Sequence, residues 1–205
     1  MSRARSVYLP RHRLRASVLA GSLLASCALT GHAEPVPGDD ARVRDARAAA
    51  LALGAKLKAQ LEAAIAAGGP SAALEICRSV APALAGEASA RYAGEVGRTA
   101  LRIRNPANAP DDYERAVLEG FVAQAAAGAD VASLEHAEVV EQQGRKVFRY
   151  MKAIPMAAAP CGSCHGTELD PALHAKIRER YPSDTATGFT PGEIRGAFTV
   201  AKELP

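Results

Sequence analysis

Between residues 39 and 67 of the 205-residue chain, Leu53, Leu57, Leu61 and Ile65 recur every fourth position among alanines and charges. That period predicts one long helix, opened by an aspartate cap, whose apolar stripe is either core or the seam of a homodimer. Gly68-Gly69-Pro70 breaks the pattern, and Ser71 is placed to cap a second helix. On that helix Leu74, Cys77, Ala81 and Leu84 share a face, so the thiol points inward with the apolar stripe. Pro82, lacking an N–H, must bend or end the helix about one turn later.

Farther along, Leu101 and Ile103 alternate with Arg102 and Arg104 before Asn105-Pro106, the two-residue period of a strand. Residues 111–126 read as a helix with a capping box, Asp111 followed by Glu114. "AEVVEQQGRKVFRYMKAIP" reads as a hairpin turning near Gly144, and "IRGAFTV" as the last strand. Helices first and antiparallel strands after argue for one α+β domain, residues 34–205, with a single sheet covered by helices on one side.

Charge changes the picture at the amino terminus. Arg3, Arg5, Arg11, Arg13 and Arg15 precede an uncharged run from Ala16 to Thr30, the pattern of an export signal over residues 1–33. Without that segment the net charge falls from +3 to −2, so nothing in the remaining chain asks for a nucleic-acid partner. Two processing sites compete. Gly31-His32-Ala33 suits a general signal peptidase, whereas Leu24-Ala25-Ser26-Cys27 suits lipoprotein processing with a lipid anchor on Cys27. Either one places the domain outside the cytoplasm, in the periplasm of a bacterium.

The chemistry concentrates in "PCGSCHG". Cys161-Gly-Ser-Cys164-His165 is the attachment pattern of c-type haem. Two thiols at that spacing can each form a thioether with a vinyl group, and the adjacent imidazole then falls beneath the iron. A thioredoxin-like dithiol would sit between a strand and a helix of a βαβ unit, and a zinc site would need a second ligand pair. The pattern implies one covalently held haem c with His165 as an axial ligand. For the opposite axial position the candidates are Cys77, Met151, Met156, His136 and His174. Met156 lies close to Cys161 and suits packing, His136 suits the surface at a strand start, and His174 would make a His/His pair. Spacing leaves the choice open. Arg98, Arg102, Arg104, Arg149 and Arg195 are candidate partners for the haem propionates, with Arg104 first because it stands at a strand end. Tyr150, Met151, Ile154, Tyr181, Phe189 and Phe198 are candidates to line the haem.

Several blocks taken together, "ALEICRSVAPALA", "VGRTALRIRNPANAPDDYE", "FRYMKAIPM", "CGSCHG" and "YPSDTATGFTPGEIRGAFTV", resemble a bacterial family of small exported haem c proteins with a PAS-like fold. The resemblance extends over nearly all of residues 40–204. It implies His/Cys axial ligation, with Cys161 and Cys164 as the thioether cysteines, His165 as the proximal ligand and Cys77 as the distal one. Thiolate ligation favours ferric iron. The resemblance therefore implies a redox- or gas-responsive module that signals to a protein partner, the alternative being a plain electron-transfer cytochrome. A cysteine filling the distal position argues against an enzyme such as a peroxidase, which needs that position open.

Overall fold

The structure, a computed structural model, describes residues 33–205. All but the last residue of the export segment, and with it Cys27, lie outside the described residues.

Strands β1 (Glu34–Pro35), β2 (Glu95–Thr99), β3 (Glu135–Gln142), β4 (Arg145–Pro155) and β5 (Ile194–Glu203) make one antiparallel sheet in the order β1-β3-β4-β5-β2. With two helices preceding most of the sheet, the α+β reading stands. β3 and β4 form the expected hairpin, with Gln143 and Gly144 both at positive φ (53° and 76°), the backbone that a tight two-residue turn requires.

Helix α1 (Ala41–Glu75) starts where Asp40 accepts from the Arg42 N–H at 2.7 Å, and it is interrupted at Gly68 and Gly69. Gly69, at φ 70°, adopts a conformation that side chains disfavour, and Pro70 opens the segment beyond; no Ser71 cap forms. Pro82 does not end the next helix. Instead the residues before it, Ile76–Val80, wind as a π turn, with Ala81 N–H reaching back to the Ile76 carbonyl, and α2 (Ala81–Tyr92) continues from there. The wider turn absorbs the proline, which can neither donate to the carbonyl of residue 78 nor tolerate its close approach.

Helix α3 (Asp112–Ala126) carries the predicted capping box, with Glu114 N–H to Asp111 at 2.7 Å and Asp111 N–H to Glu114 at 3.2 Å. It corrects the one-sided sheet. Phe148 and Tyr150 of β4 pack with Val43, Ala46, Ala50 and Leu53 of α1, whereas Met151 and Ala153 pack with Leu118 and Phe121 of α3. β4 is central and apolar on both parities, so helices cover both faces. A second correction concerns residues 100–104. They leave the sheet after Thr99, Leu101 is 37% exposed, and Arg104 is buried at 7%. Tertiary pairing of Arg104, described below, overrides the local alternation. Two short helices follow β4: α4 (Gly162–His165), on the C-x-x-C-H motif, and α5 (Pro171–Arg180), which is capped by Asp170 onto the Leu173 N–H at 2.8 Å. No helix among the described residues is long and apolar enough to cross a membrane.

Glu135 ties α1 to the sheet. Its carboxylate accepts from Arg47 Nε at 2.8 Å and from the hydroxyl of fully buried Tyr150 at 2.9 Å. Arg47 holds the Glu135 carboxyl below its ordinary value, so its contribution is present above the usual carboxylate range and is lost as pH falls through the depressed value. Glu135→Gln should therefore cost about 1–3 kcal/mol in urea unfolding at neutral pH. The gap from the parent protein should close as the medium is acidified.

Candidate functional site

Past β4 the chain makes the single turn α4, in which His165 N–H bonds the Cys161 carbonyl at 3.0 Å and Gly166 N–H bonds the Gly162 carbonyl at 2.9 Å. Three residues apart on one turn, Cys161 and Cys164 face the same way. His165 follows, and its Nδ1 lies 2.6 Å from the Ala186 carbonyl oxygen. A carbonyl only accepts, so Nδ1 carries the proton and Nε2 keeps a free lone pair. Burial, reinforced by Arg195 and Arg104, pushes the imidazole's pKa down to about 2 and keeps it neutral. That is the tautomer and charge state that a metal-ligating histidine requires.

These side chains open onto a cavity of about 220 Å³ that also takes in Cys77. Its apolar wall is Leu61, Ile65, Ala73 and Leu74 of α1, with Ile154 from the end of β4 opposite. The leucine stripe of α1 is thus divided: Leu53 lies in the sheet core, while Leu61 and Ile65 line the cavity. Of the candidates for the position opposite His165, Cys77 alone lines the cavity. Met151 is in the core facing α3, Met156 packs with Ala186, Phe189 and Cys161, His136 pairs with Glu138 at 3.2 Å on the surface, and His174 is exposed on α5.

Of the proposed aromatic and aliphatic lining, Ile154 and Tyr181 reach the cavity, while Tyr150 and Phe198 belong to the core under α1. Among the arginines, Arg98, Arg104 and Arg195 line it. Arg149 is spent on Asp111 at 2.9 Å on the other face, and Arg102 stacks on Phe189 at 3.9 Å. Arg104 is engaged with the protein: its Nη2 lies 2.6 Å from the Cys164 carbonyl and 3.1 Å from the Asp184 carboxylate. Arg98 and Arg195 have no acidic partner among the described residues. Burial pulls the pKa of both down, that of Arg195 to about 10 with help from Arg104 and Arg98. Arg104 Nε, Arg195 Nε and the Tyr181 hydroxyl are buried donors without an acceptor. Such a cavity combines apolar walls with unsatisfied donors and an excess of positive charge, and suits a large apolar ligand bearing anionic groups.

The alternatives read from the motif fare worse. Burial pushes the Cys164 thiol up, opposite to the activated thiolate of a dithiol exchanger. No group of three or more metal-ligating side chains among the described residues converges tightly enough to hold a bare ion. Asp184 and Ala186 escaped the sequence reading, because nothing in the spacing of "YPSDTATGF" marks an acid paired with Arg104 or a backbone carbonyl that accepts from His165. Leu61 and Ile65 had a visible signal, the stripe itself, but periodicity does not say which part of a stripe faces a ligand.

Residues 32–202 match the Tll0287-like family, Tll0287. One solved structure, described as the crystal structure of the cyanobacterial heme-protein Tll0287, matches with 28% identity and a TM-score of 0.49, over 62% of this chain and 71% of that one. No curated protein matches.

Gly166 has a steric role at the end of α4. A Cβ there would stand 2.6 Å from the Gly162 carbonyl oxygen, a backbone atom that cannot move without unwinding the turn. Gly166→Ala should lower stability by about 1–3 kcal/mol in thermal or urea unfolding. Gly162→Ala, whose Cβ meets nothing within 4 Å, should be tolerated.

Proposed function

The chain belongs to the Tll0287-like family, and from that premise and the cavity's composition we propose that it is an exported haem c protein with His/Cys axial ligation. The observation that carries the proposal is that one cavity unites the C-x-x-C-H turn with Cys77, a residue over 80 positions earlier in the chain. The residues fit the group. Cys161 and Cys164 would hold it covalently, His165 and Cys77 would be the axial ligands, and Arg98 and Arg195 would neutralise its carboxylates, with Arg104 contributing its free Nε. Bound there, a haem would supply one-electron redox chemistry.

Within that reading the two axial residues do different work. His165 is fixed by its hydrogen bond to Ala186. Cys77 stands on a π turn in which no residue is fully buried, and it lines a second, polar groove as well as the cavity. Thiolate donation favours the higher charge of ferric iron, so with a haem bound Cys77 would be the contact that weakens on reduction. The π turn is where the chain can yield. We read the protein as a redox- or gas-responsive module of PAS-like type, without enzymatic activity, that passes its state to a protein partner in the periplasm. The Arg-rich start supports export, and Cys27 supplies a lipid anchor if lipoprotein processing is used. A plain electron carrier would instead keep both ligands in both oxidation states.

When the chain is exported with haem attachment, haem should stay with the denatured polypeptide on a gel, and Cys161→Ala with Cys164→Ala should reduce that stain to background. Cys77→Ser should change the g-values of the ferric electron paramagnetic resonance spectrum. Carbon monoxide should bind the reduced parent protein. A Cys77→Ser spectrum identical to the parent's would remove the cysteine ligand, and failure of carbon monoxide to bind would favour the electron carrier.

A further inference from the structure

Arg104 and Asp184 form an ion pair buried almost completely, with side-chain exposures of 6% and 3%. Removing two charges from water costs several kcal/mol, and a buried pair of this kind seldom yields net stability. Its consequence is in what it holds. Arg104 Nη2 is shared among the Cys164 carbonyl at 2.6 Å, Asp184 Oδ2 at 3.1 Å and, at the long limit, the Ala186 carbonyl at 3.4 Å. The other carboxylate oxygen, Asp184 Oδ1, accepts the Ala186 N–H at 2.9 Å. The Ala186 carbonyl in turn receives His165 Nδ1–H. Both peptide groups of the fully buried Ala186 are therefore set by one ion pair, and the same guanidinium grips the turn that carries the imidazole.

Resting on the haem reading above, we propose that Arg104 and Asp184 are positioning residues for His165: together they fix the orientation and tautomer of the imidazole through the Ala186 carbonyl. Arg104 acts on both ends of that hydrogen bond. It binds the residue before the histidine and, directly and through Asp184, the residue that accepts from it. Neither side chain touches the imidazole within hydrogen-bond distance. Loss of either should free the ring to rotate and Nδ1 to find other acceptors, which changes the ligand field even if the fold survives. Because the two residues act as one unit, removing both should do little more than removing one.

The test compares Arg104→Ala, Asp184→Ala, the double variant and Asp184→Asn in the full chain. Asp184→Asn keeps an oxygen for the Ala186 N–H while losing the charge. In the ferric haem-loaded protein the parent should give a single low-spin species, and each alanine variant should lose that single signal to a mixture, the double variant no more than the singles. Asp184→Asn should retain most of the parent signal. Nitrogen-15 resonances of His165 in the haem-free chain provide a second readout: a fixed Nδ1–H tautomer in the parent, and a mixed one in the alanine variants. Parent-like spectra and tautomer in folded alanine variants would overturn the proposal, as would spectral change that merely tracks the unfolded fraction. Absence of covalent haem in the parent would sink the haem reading, and the nitrogen-15 tautomer would then decide the clamp by itself.

Discussion

The site depends on how α5 packs against the far end of α1. Leu74, at the last turn of α1, is buried with Leu173 and Ile177 of α5, and Cys164 packs on the same cluster. Arg180 of α5 adds a bond to Glu75 at 2.7 Å, exposed and therefore of small value by itself. Cys77 lies three residues beyond Leu74, and the C-x-x-C-H turn lies six before α5. The apolar cluster therefore sets the span between the two segments that bound the cavity. Burial of three aliphatic side chains is worth several kcal/mol, well above what the exposed ion pair supplies, so packing governs that span.

The two segments reach this place by unlike routes. α1 is anchored to the sheet through Val43, Ala46, Ala50 and Leu53, and farther along it the stripe meets a cavity whose other walls include Thr99 of β2, Ile154 of β4 and Gly196 of β5. Leu61 and Ile65 face the cavity there. The C-x-x-C-H turn is inserted between two paired strands, β4 and β5, and its end is tied by the Gly188 N–H to the Gly166 carbonyl and by the Phe189 N–H to the His165 carbonyl, an isolated bridge outside the sheet. The cavity is thus bounded by the later part of α1, by ends of the sheet strands and by the segment inserted between β4 and β5.

Strong local signals were legible in the sequence: the Asp111 and Glu114 capping box, the turn near Gly144, the Gly68-Gly69 break and the inward face shared by Leu74 and Ala81. Each is decided within a few residues. What failed was decided across the chain. Residues 101–104 alternate as a strand should, yet Arg104 is drawn inward by Asp184, 80 residues away. Pro82 reads as a bend or an end, and the helix does not end there: it passes through a π turn over Ile76–Val80 and continues as α2. The second covered face of the sheet was hidden because β4 is apolar on both parities, which periodicity alone reads as ambiguous. For the site, C-x-x-C-H named three residues outright, while Asp184 and the Ala186 carbonyl act only through geometry that no motif encodes.

The arrangement is asymmetric, and the asymmetry bears on which function the site serves. On one side, the imidazole of His165 is held by a 2.6 Å bond to a carbonyl that is itself held at both peptide groups, with burial keeping the ring neutral. On the other, Cys77 belongs to a turn with one residue more than an α-helical turn, half-buried, and open both to the cavity and to a groove it shares with Arg98, Asn105 and Asn108. A carrier of electrons gains from two rigid ligands, because small reorganisation speeds transfer. A switch needs one ligand that stays and one that can leave, with a place for the leaving side chain to go. A neutral, hydrogen-bonded histidine and a cysteine on a π turn with polar space behind it correspond to the second arrangement, which is the ground on which we propose a responsive module rather than a carrier.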